Sequence, residues 1–224
     1  LDDSSAANNE AGIRLTAALC DYWYYEGHLT EGRRWVELAL QHSANASPEL
    51  RASILSAAGM LAYFQSDHEK GKAWSSAAQT IYAELGDELN EAWALVWLGG
   101  NQMGSPDNYK TGMQFCEQAI ATFKQEDHKA GLAWAHNMLG ELARLDGDYV
   151  LAGEAYKECI NVCRETGAVL REAMTRANLG IVELHQGNYE QAETLIRTRL
   201  AREEHSKYHT AYALAFLAGP IASK

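Results

Sequence analysis

What this chain has little of narrows its identity first. It holds three prolines in 224 residues, Pro48, Pro106 and Pro220. Proline breaks helix interiors, so long helices are free to form. Its four cysteines, Cys20, Cys116, Cys159 and Cys163, include no C-x-x-C pair. Cys159 and Cys163 stand one helical turn apart and read as small buried residues ahead of a metal or redox pair, because free cysteine is commonly interior. Reduced thiols fit a cytoplasmic protein. No apolar run approaches the roughly 18 residues of a membrane span, and no signal peptide is visible. Positive charge is also scarce: nineteen Lys and Arg face thirty Asp and Glu, a formal charge of -11. Such a surface repels phosphate backbones and anionic lipid, which argues against direct nucleic-acid contact and against a membrane. Phosphate loop, nucleophile elbow and dinucleotide fingerprint are all missing, as is any nucleophile–base pair. The expectation is a protein that is not an enzyme and uses no cofactor or metal. His205 and His209 lack the intervening glutamate of H-E-x-x-H and are not read as zinc ligands.

What is present is a repeat. Leu139-Gly140, six residues, then Gly147-Asp148-Tyr149-Val150-Leu151-Ala152 returns as Leu179-Gly180, six residues, then Gly187-Asn188-Tyr189-Glu190-Gln191-Ala192. The last small residue of this pattern also appears as Gly32, Gly71 and Gly112, at intervals of 39, 41, 40 and 40 residues along the chain. Fixed spacing of this length marks one supersecondary unit copied in series. Each unit reads as a helix A, a tight turn and a helix B. The units run over about 10–47, 48–87, 88–127, 128–167 and 168–205, with a half unit at 206–219. Helix spans are expected at 10–26, 30–42, 128–145, 149–166, 169–185 and 189–203, with Thr30 as an N-cap and Ser47 capping ahead of Pro48. The third unit turns at 104–108, where one extra residue accounts for the longer interval. Since Leu1 is not an initiator methionine, we expect a piece of a longer protein. An unpaired helix at the end could drive self-association.

The residue types have reasons. Gly59, Gly99, Gly140 and Gly180 fall inside helices, where glycine costs about 1 kcal/mol relative to alanine. A cost repeated four times implies close approach of helix B to helix A. Gly27, Gly147 and Gly187 supply the turn within each pair. Tyr109, Tyr149 and Tyr189, with Leu29 and His68 in the same slot, wedge between consecutive units.

The pattern Leu-Gly, six residues, Gly-Asp/Asn-Tyr, two residues, Ala resembles the tetratricopeptide repeat over nearly the whole chain. That family's usual period is about 34 residues, so a period near 40 implies longer helices. The first unit departs with Cys20 for glycine and Gly32 for alanine, the second with Ala58 for leucine and His68 for tyrosine. The resemblance implies an all-α, right-handed superhelical α-solenoid of antiparallel helix pairs. A narrower likeness lies in the first unit. Arg14-Leu15-Thr16-Ala17-Ala18-Leu19, then Tyr22-Trp23-Tyr24-Tyr25-Glu26-Gly27-His28-Leu29-Thr30-Glu31-Gly32-Arg33-Arg34-Trp35, resembles the repeat region of large bacterial signalling ATPases. In that family a nucleotide switch precedes the array, and many members carry a LuxR-type DNA-binding domain. The implied role is a sensor or regulatory region.

In stacked helix pairs the A helices line a concave face. On this register the candidate groove residues are Arg14, Asp21, Tyr24 and Tyr25; Met60, Tyr63 and Phe64; Trp93, Trp97 and Met103; Trp134, Asn137, Glu141 and Arg144; Met174, Asn178 and His185; and Tyr212. A strip of aromatics and methionines is unusual on a monomer's surface unless something binds it; any single ring reads as core ahead of groove, while for the set at least a few are expected to face the groove. Asn137 and Asn178 each present a donor and an acceptor, matched to a peptide unit or to a neighbouring helix. Glu141 and Arg144, three apart, can pair with each other. The expected partner is a peptide, a protein or a small effector in this groove, with a free-standing adaptor as the alternative.

Overall fold

The computed structural model describes residues 3–200, with side chains over 9–197. The half unit at 206–219, Tyr212, His205, His209 and Pro220 lie outside the described residues. Every regular element among the described residues is helical: α1 (Asp3–Ala18), α2 (Cys20–Tyr25), α3 (Leu29–Gln41), α4 (Pro48–Phe64), α5 (His68–Leu85), α6 (Glu88–Gly100), α7 (Tyr109–Gln125), α8 (Lys129–Asp146), α9 (Tyr149–Thr166), α10 (Val169–His185) and α11 (Tyr189–Leu200), with short 3-10 turns. No helix is long and apolar enough to cross a membrane among the described residues. The chain divides into two compact units, 1–126 and 127–224.

In the first unit α1 and α2 pair with α3, α4 with α5, and α6 with α7; α4 also packs on α3, and α6 on α5. The expected helix over 10–26 appears as α1 and α2, interrupted at Leu19 but kept in line by Leu19 N–H donating to the Leu15 carbonyl and Trp23 N–H to that of Leu19, both at 3.0 Å. Thr30 is not the cap: α3 starts at Leu29, and His28 precedes it with no side-chain bond. Ser47 does cap α4, accepting from Leu50 N–H at 3.3 Å with Pro48 as first residue. The turn expected at 104–108 begins earlier. α6 stops at Gly100, and Asn101 is fully buried with its Nδ2 donating to the carbonyls of Trp97 (2.8 Å) and Gly59 (3.0 Å). That amide ties the end of α6 to α4, so the chain leaves the helix through two 3-10 turns, Asn101–Gly104 and Pro106–Asn108.

In the second unit α8 pairs with α9 and α10 with α11, and α10 packs on α9. α9 and α10 begin and end at the residues that the sequence indicates. Asp148 caps α9 by accepting from Leu151 N–H at 3.0 Å. Gly147 lies at φ +85°, a left-handed conformation that glycine adopts without cost. Ser66 and Asp127 take comparable turns at φ +58° and +47°.

Close approach at the helix glycines is direct. A Cβ added to Gly140 would lie 2.6 Å from Tyr156 Cε1, one added to Gly99 2.9 Å from Cys116 Sγ, and one added to Gly180 2.8 Å from Ile196 Cγ1; Gly59 meets Ser75 in the same way. The facing residue is thus the one a turn beyond Gly71, Gly112, Ala152 or Ala192. The small residue itself contributes its carbonyl, 2.9 Å away for Gly112 and 3.3 Å for Ala192. Each pair is closed by a buried side chain seated on a bare stretch of helix backbone. At Tyr149 the wedge slot is filled, its ring stacking on His185 at 4.6 Å and 9° and joining α9 to α10, whereas Tyr189 in the same slot is 65% exposed.

Candidate ligand-binding face

The aromatic residues of the first unit form one chain of ring contacts across α2, α4 and α6. Tyr25 meets Tyr24 at 4.9 Å, Tyr24 stacks on Phe64 at 4.1 Å, and Phe64 meets Trp97 edge-on at 5.9 Å. Trp97 stacks on Trp93 at 6.4 Å, and Trp93 meets Phe123 of α7 at 5.3 Å. Tyr63 joins from the side, 5.0 Å from Phe64 and 6.2 Å from Trp97. Tyr24, Tyr25, Tyr63, Phe64, Trp97 and Phe123 lie in the last turn of their helices and Trp93 one turn earlier on α6, and the 40-residue period places the ends of α2, α4 and α6 side by side. Centroid distances of 4–6.5 Å are those of mutually supporting rings, so the ribbon is stiff. Tyr24, Tyr63, Phe64 and Trp93 are half-buried and Tyr25 is exposed.

Two of the expected groove residues here are interior. Trp97 is 4% exposed and Met60 5%. Their rings and chains are covered because α4 and α6 lie against each other at this level, so they support the ribbon from beneath. Met103 lies half-buried in the 3-10 turn that follows α6. Toward the opposite end of α4, about three to four helical turns before Tyr63, a cavity of about 310 Å³ is lined by Arg14, Ala17 and Ala18 of α1 and by Glu49, Leu50 and Ser53 of α4. Arg14 is exposed and pairs with Glu10 at 3.7 Å; Asp21, between cavity and ribbon, is exposed.

The second unit treats its candidates differently. Trp134 is buried beneath the Arg171 guanidinium, which lies 3.4 Å from the ring centroid. Asn137 accepts a hydrogen bond from Thr175 Oγ1 at 3.3 Å, and therefore serves a contact between α8 and α10. Glu141 accepts from Arg144 at 2.6 Å and from the Tyr156 hydroxyl at 2.9 Å, with the Glu141 and Arg144 side chains only 13% and 17% exposed. Burial drives the Tyr156 hydroxyl pKa well up, and the adjacent Glu141 carboxylate adds to it. For Arg144 burial acts downward, but Glu141 and Tyr156 outweigh it and hold the guanidinium charged. This is a closed structural triad that fixes α9 on α8. His185 is exposed at its edge but occupied by the Tyr149 stack. Met174 and Asn178 are half-buried on α10. Sequence reasoning missed Tyr156, Phe123 and Arg171, which lie outside the A-helix stripes. Tyr156 was findable, since it sits four residues beyond Ala152, where Ile196 stands beyond Ala192.

The cysteines are all free and buried. Burial, with a smaller push from Asp21, raises the Cys20 thiol to about 12, and burial raises Cys116 further; both stay protonated and unreactive at neutral pH. No group of three or more His, Cys, Asp or Glu residues is placed to hold a metal ion among the described residues.

Residues 131–205 match the sequence profile described as tetratricopeptide repeat. No curated protein sequence matches the chain. Among solved structures, the Rap conjugation gene regulator of the plasmid pLS20, solved in complex with the Phr* peptide, is 16% identical with a TM-score of 0.71, over 98% of this chain and 66% of that one. The apo form of RapI is 14% identical with a TM-score of 0.64, over 90% and 57%. BtubC from P. vanneervenii is 21% identical with a TM-score of 0.64, over 91% of both chains. The chain thus spans less than two thirds of the length of both Rap structures. At these identities the likeness concerns the fold: helical hairpins of tetratricopeptide type. The aromatic ribbon lies outside the profile match, in the first unit.

Proposed function

We propose that this chain is a non-catalytic binding module, in the cytoplasm, that takes a peptide or a segment of a partner protein on the A-helix face of its first unit. The observation that carries this reading is the aromatic ribbon of Tyr24, Tyr63, Phe64 and Trp93, held rigid by buried Trp97 and open on one side. Preassembled aromatic rings give contact area at little cost in side-chain entropy, and such residues dominate binding energy at interfaces. Arg14 and Asp21 sit at the cavity end of the same face and supply orientation; Asn178 and Met174 offer a comparable position on α10 of the second unit. A peptide-bound Rap regulator of similar fold supports a peptide over a small effector. The narrower reading is a sensor region of a bacterial signalling ATPase or transcriptional regulator. There, binding would bias a switch to the extent that the ligand prefers one state of it. The alternative is a free-standing adaptor that docks partner proteins without a switch.

The test is selection of binders from a random peptide library displayed on phage, followed by titration of a recovered peptide against tryptophan fluorescence. Tyr63→Ala and Trp93→Ala should each weaken binding at least about tenfold, equivalent to about 1.4 kcal/mol, with helix content unchanged. Trp97→Ala is unsuitable, since that ring is interior. Failure to enrich any peptide, or affinity indifferent to both substitutions, refutes the site.

A further inference from the structure

Where α10 packs on α9, the chain departs from its own copies at three facing positions together. The equivalent contact of α6 on α5 is made by Ala78, Tyr82 and Ala94, buried in one apolar cluster. In the same slots, counted from Ala152 and Gly180 instead of Gly71 and Gly99, stand Cys159, Cys163 and Thr175, each at most 1% exposed. At the two cysteine slots the first repeat has Ala39 and Ser43, and the third Ala119 and Phe123; at the slot of Thr175, Ile54 and Ala135 occur elsewhere. Filling this space therefore needs no sulfur, and two thiols and a hydroxyl have replaced apolar groups at once.

The sulfurs lie 3.9 Å apart, and Thr175 Oγ1 is 3.3 Å from Cys159 Sγ. The Thr175 hydroxyl donates to Asn137 Oδ1 at 3.3 Å, which leaves an oxygen lone pair toward Cys159. A disulfide does not fit. Residues four apart on a helix hold their Cβ atoms about 5–6 Å apart, and a disulfide needs about 3.5–4.5 Å. One bridging atom does fit: with metal–sulfur bonds of about 2.3 Å, a 3.9 Å separation corresponds to a sulfur–metal–sulfur angle of about 116°. Thiolates select soft ions, and two sulfurs with one hydroxyl are too few for zinc, which takes four ligands. Charge agrees. Hydrogen bonding from Cys163 lowers the Cys159 thiol pKa against its burial and raises that of Cys163, while the Arg171 guanidinium pulls both down. Two thiolates and a monovalent cation leave one negative charge beside that guanidinium.

We propose that Cys159, Cys163 and Thr175 bind one soft monovalent metal ion of the Cu(I) class as a bent bis-thiolate. Binding is ligand exchange without redox: both S–H bonds break, two metal–sulfur bonds form, and two protons pass to solvent. Entry is from the A-helix face, where half-buried Asn137 covers Thr175.

Anaerobic titration of the full chain with Cu(I), against a chromophoric Cu(I) chelator, tests this. One ion per chain is expected, with thiolate-to-metal absorption in the ultraviolet and two sulfur neighbours by X-ray absorption. Cys159→Ala and Cys163→Ser introduce the residues that the first repeat carries, so helix content and melting should stay near those of the parent. Each should weaken Cu(I) binding at least about a hundredfold, beyond the loss of an outer supporting partner. Thr175→Ala, the residue of two other copies, should weaken it about threefold to tenfold. Cys20→Ala and Cys116→Ala should leave the affinity unchanged. Affinity that survives Cys159→Ala or Cys163→Ser overturns the proposal. So does binding that falls equally with Cys20→Ala or Cys116→Ala, or that appears only as helix content is lost. Peptide binding on the ribbon is a separate measurement, so either reading can fail alone.

Discussion

Replacing Gly140 and Gly153 by alanine, one at a time, should move stability in opposite directions. Both glycines are buried in helices, and in both the substitution gains about 1 kcal/mol of helix propensity. At Gly153 the new methyl meets Val182 Cγ1 at 3.8 Å and Leu179 Cδ1 at 4.0 Å, ordinary contact distances, so the gain survives. At Gly140 it meets Tyr156 at 2.6, 2.7 and 3.0 Å. That ring cannot yield, being fully buried with its hydroxyl bound to Glu141 at 2.9 Å. Overpacking of this kind costs about 1–3 kcal/mol, and a pinned aromatic belongs at the upper end. The net is a loss of about 2 kcal/mol for Gly140→Ala against a gain of about 1 kcal/mol for Gly153→Ala. For a chain of this size each kcal/mol moves the melting temperature by about 2–4 °C. Stacked repeats can unfold in parts, so amide exchange in α8 and α9 should be followed beside the thermal melt. A Gly140→Ala protein at least as stable as the parent would mean that α9 does not seat on α8 as described.

Two further outcomes follow from charge. Arg33 is 9% exposed, bonds Glu37 at 2.9 Å and Asp67 at 2.7 Å, and lies 4.5 Å over the Trp74 ring. Arg33→Ala should cost about 1–2 kcal/mol in urea unfolding, below the 3–5 of a fully buried pair because its carboxylates can rehydrate, and Arg33→Lys should not restore it, lacking the planar fork. Melting temperature against pH should show a plateau with losses at both ends. The hydrogen bond from Arg33 lowers the Asp67 pKa; for Glu37 and Glu172, burial raises the carboxyl pKa but the Arg and Lys partners outweigh it. Folded values below the ordinary 3.8 and 4.5 mean that their stabilisation is complete above about pH 4.5 and lost as pH falls through the depressed values. Burial raises Cys20 from 9.0 and Tyr82 from 10.0, each to about 12, so that stabilisation is lost as pH climbs from about 9 to 12. A melting temperature that holds level from pH 5 to pH 2 would contradict the acid-side assignment.

The helices, their pairing and the reason for the glycines that recur inside them were legible along the chain, because those features are local or return at a fixed interval. A glycine inside the helix at Gly59, Gly99, Gly140 and Gly180 implies close helix contact, and each meets a side chain there. Tertiary structure alone decided which polar and aromatic residues of one stripe are occupied internally. A helical stripe names a direction from the axis, whereas burial depends on how near the next helix comes. That is why Trp97 and Trp134 are interior while Trp93 is half-buried, and why Asn137 is bonded to Thr175. Glu141 and Arg144 looked like a surface pair three residues apart; only the arrival of Tyr156 from the neighbouring helix makes them a buried triad. Partners supplied by another helix cannot be read from the helix that receives them.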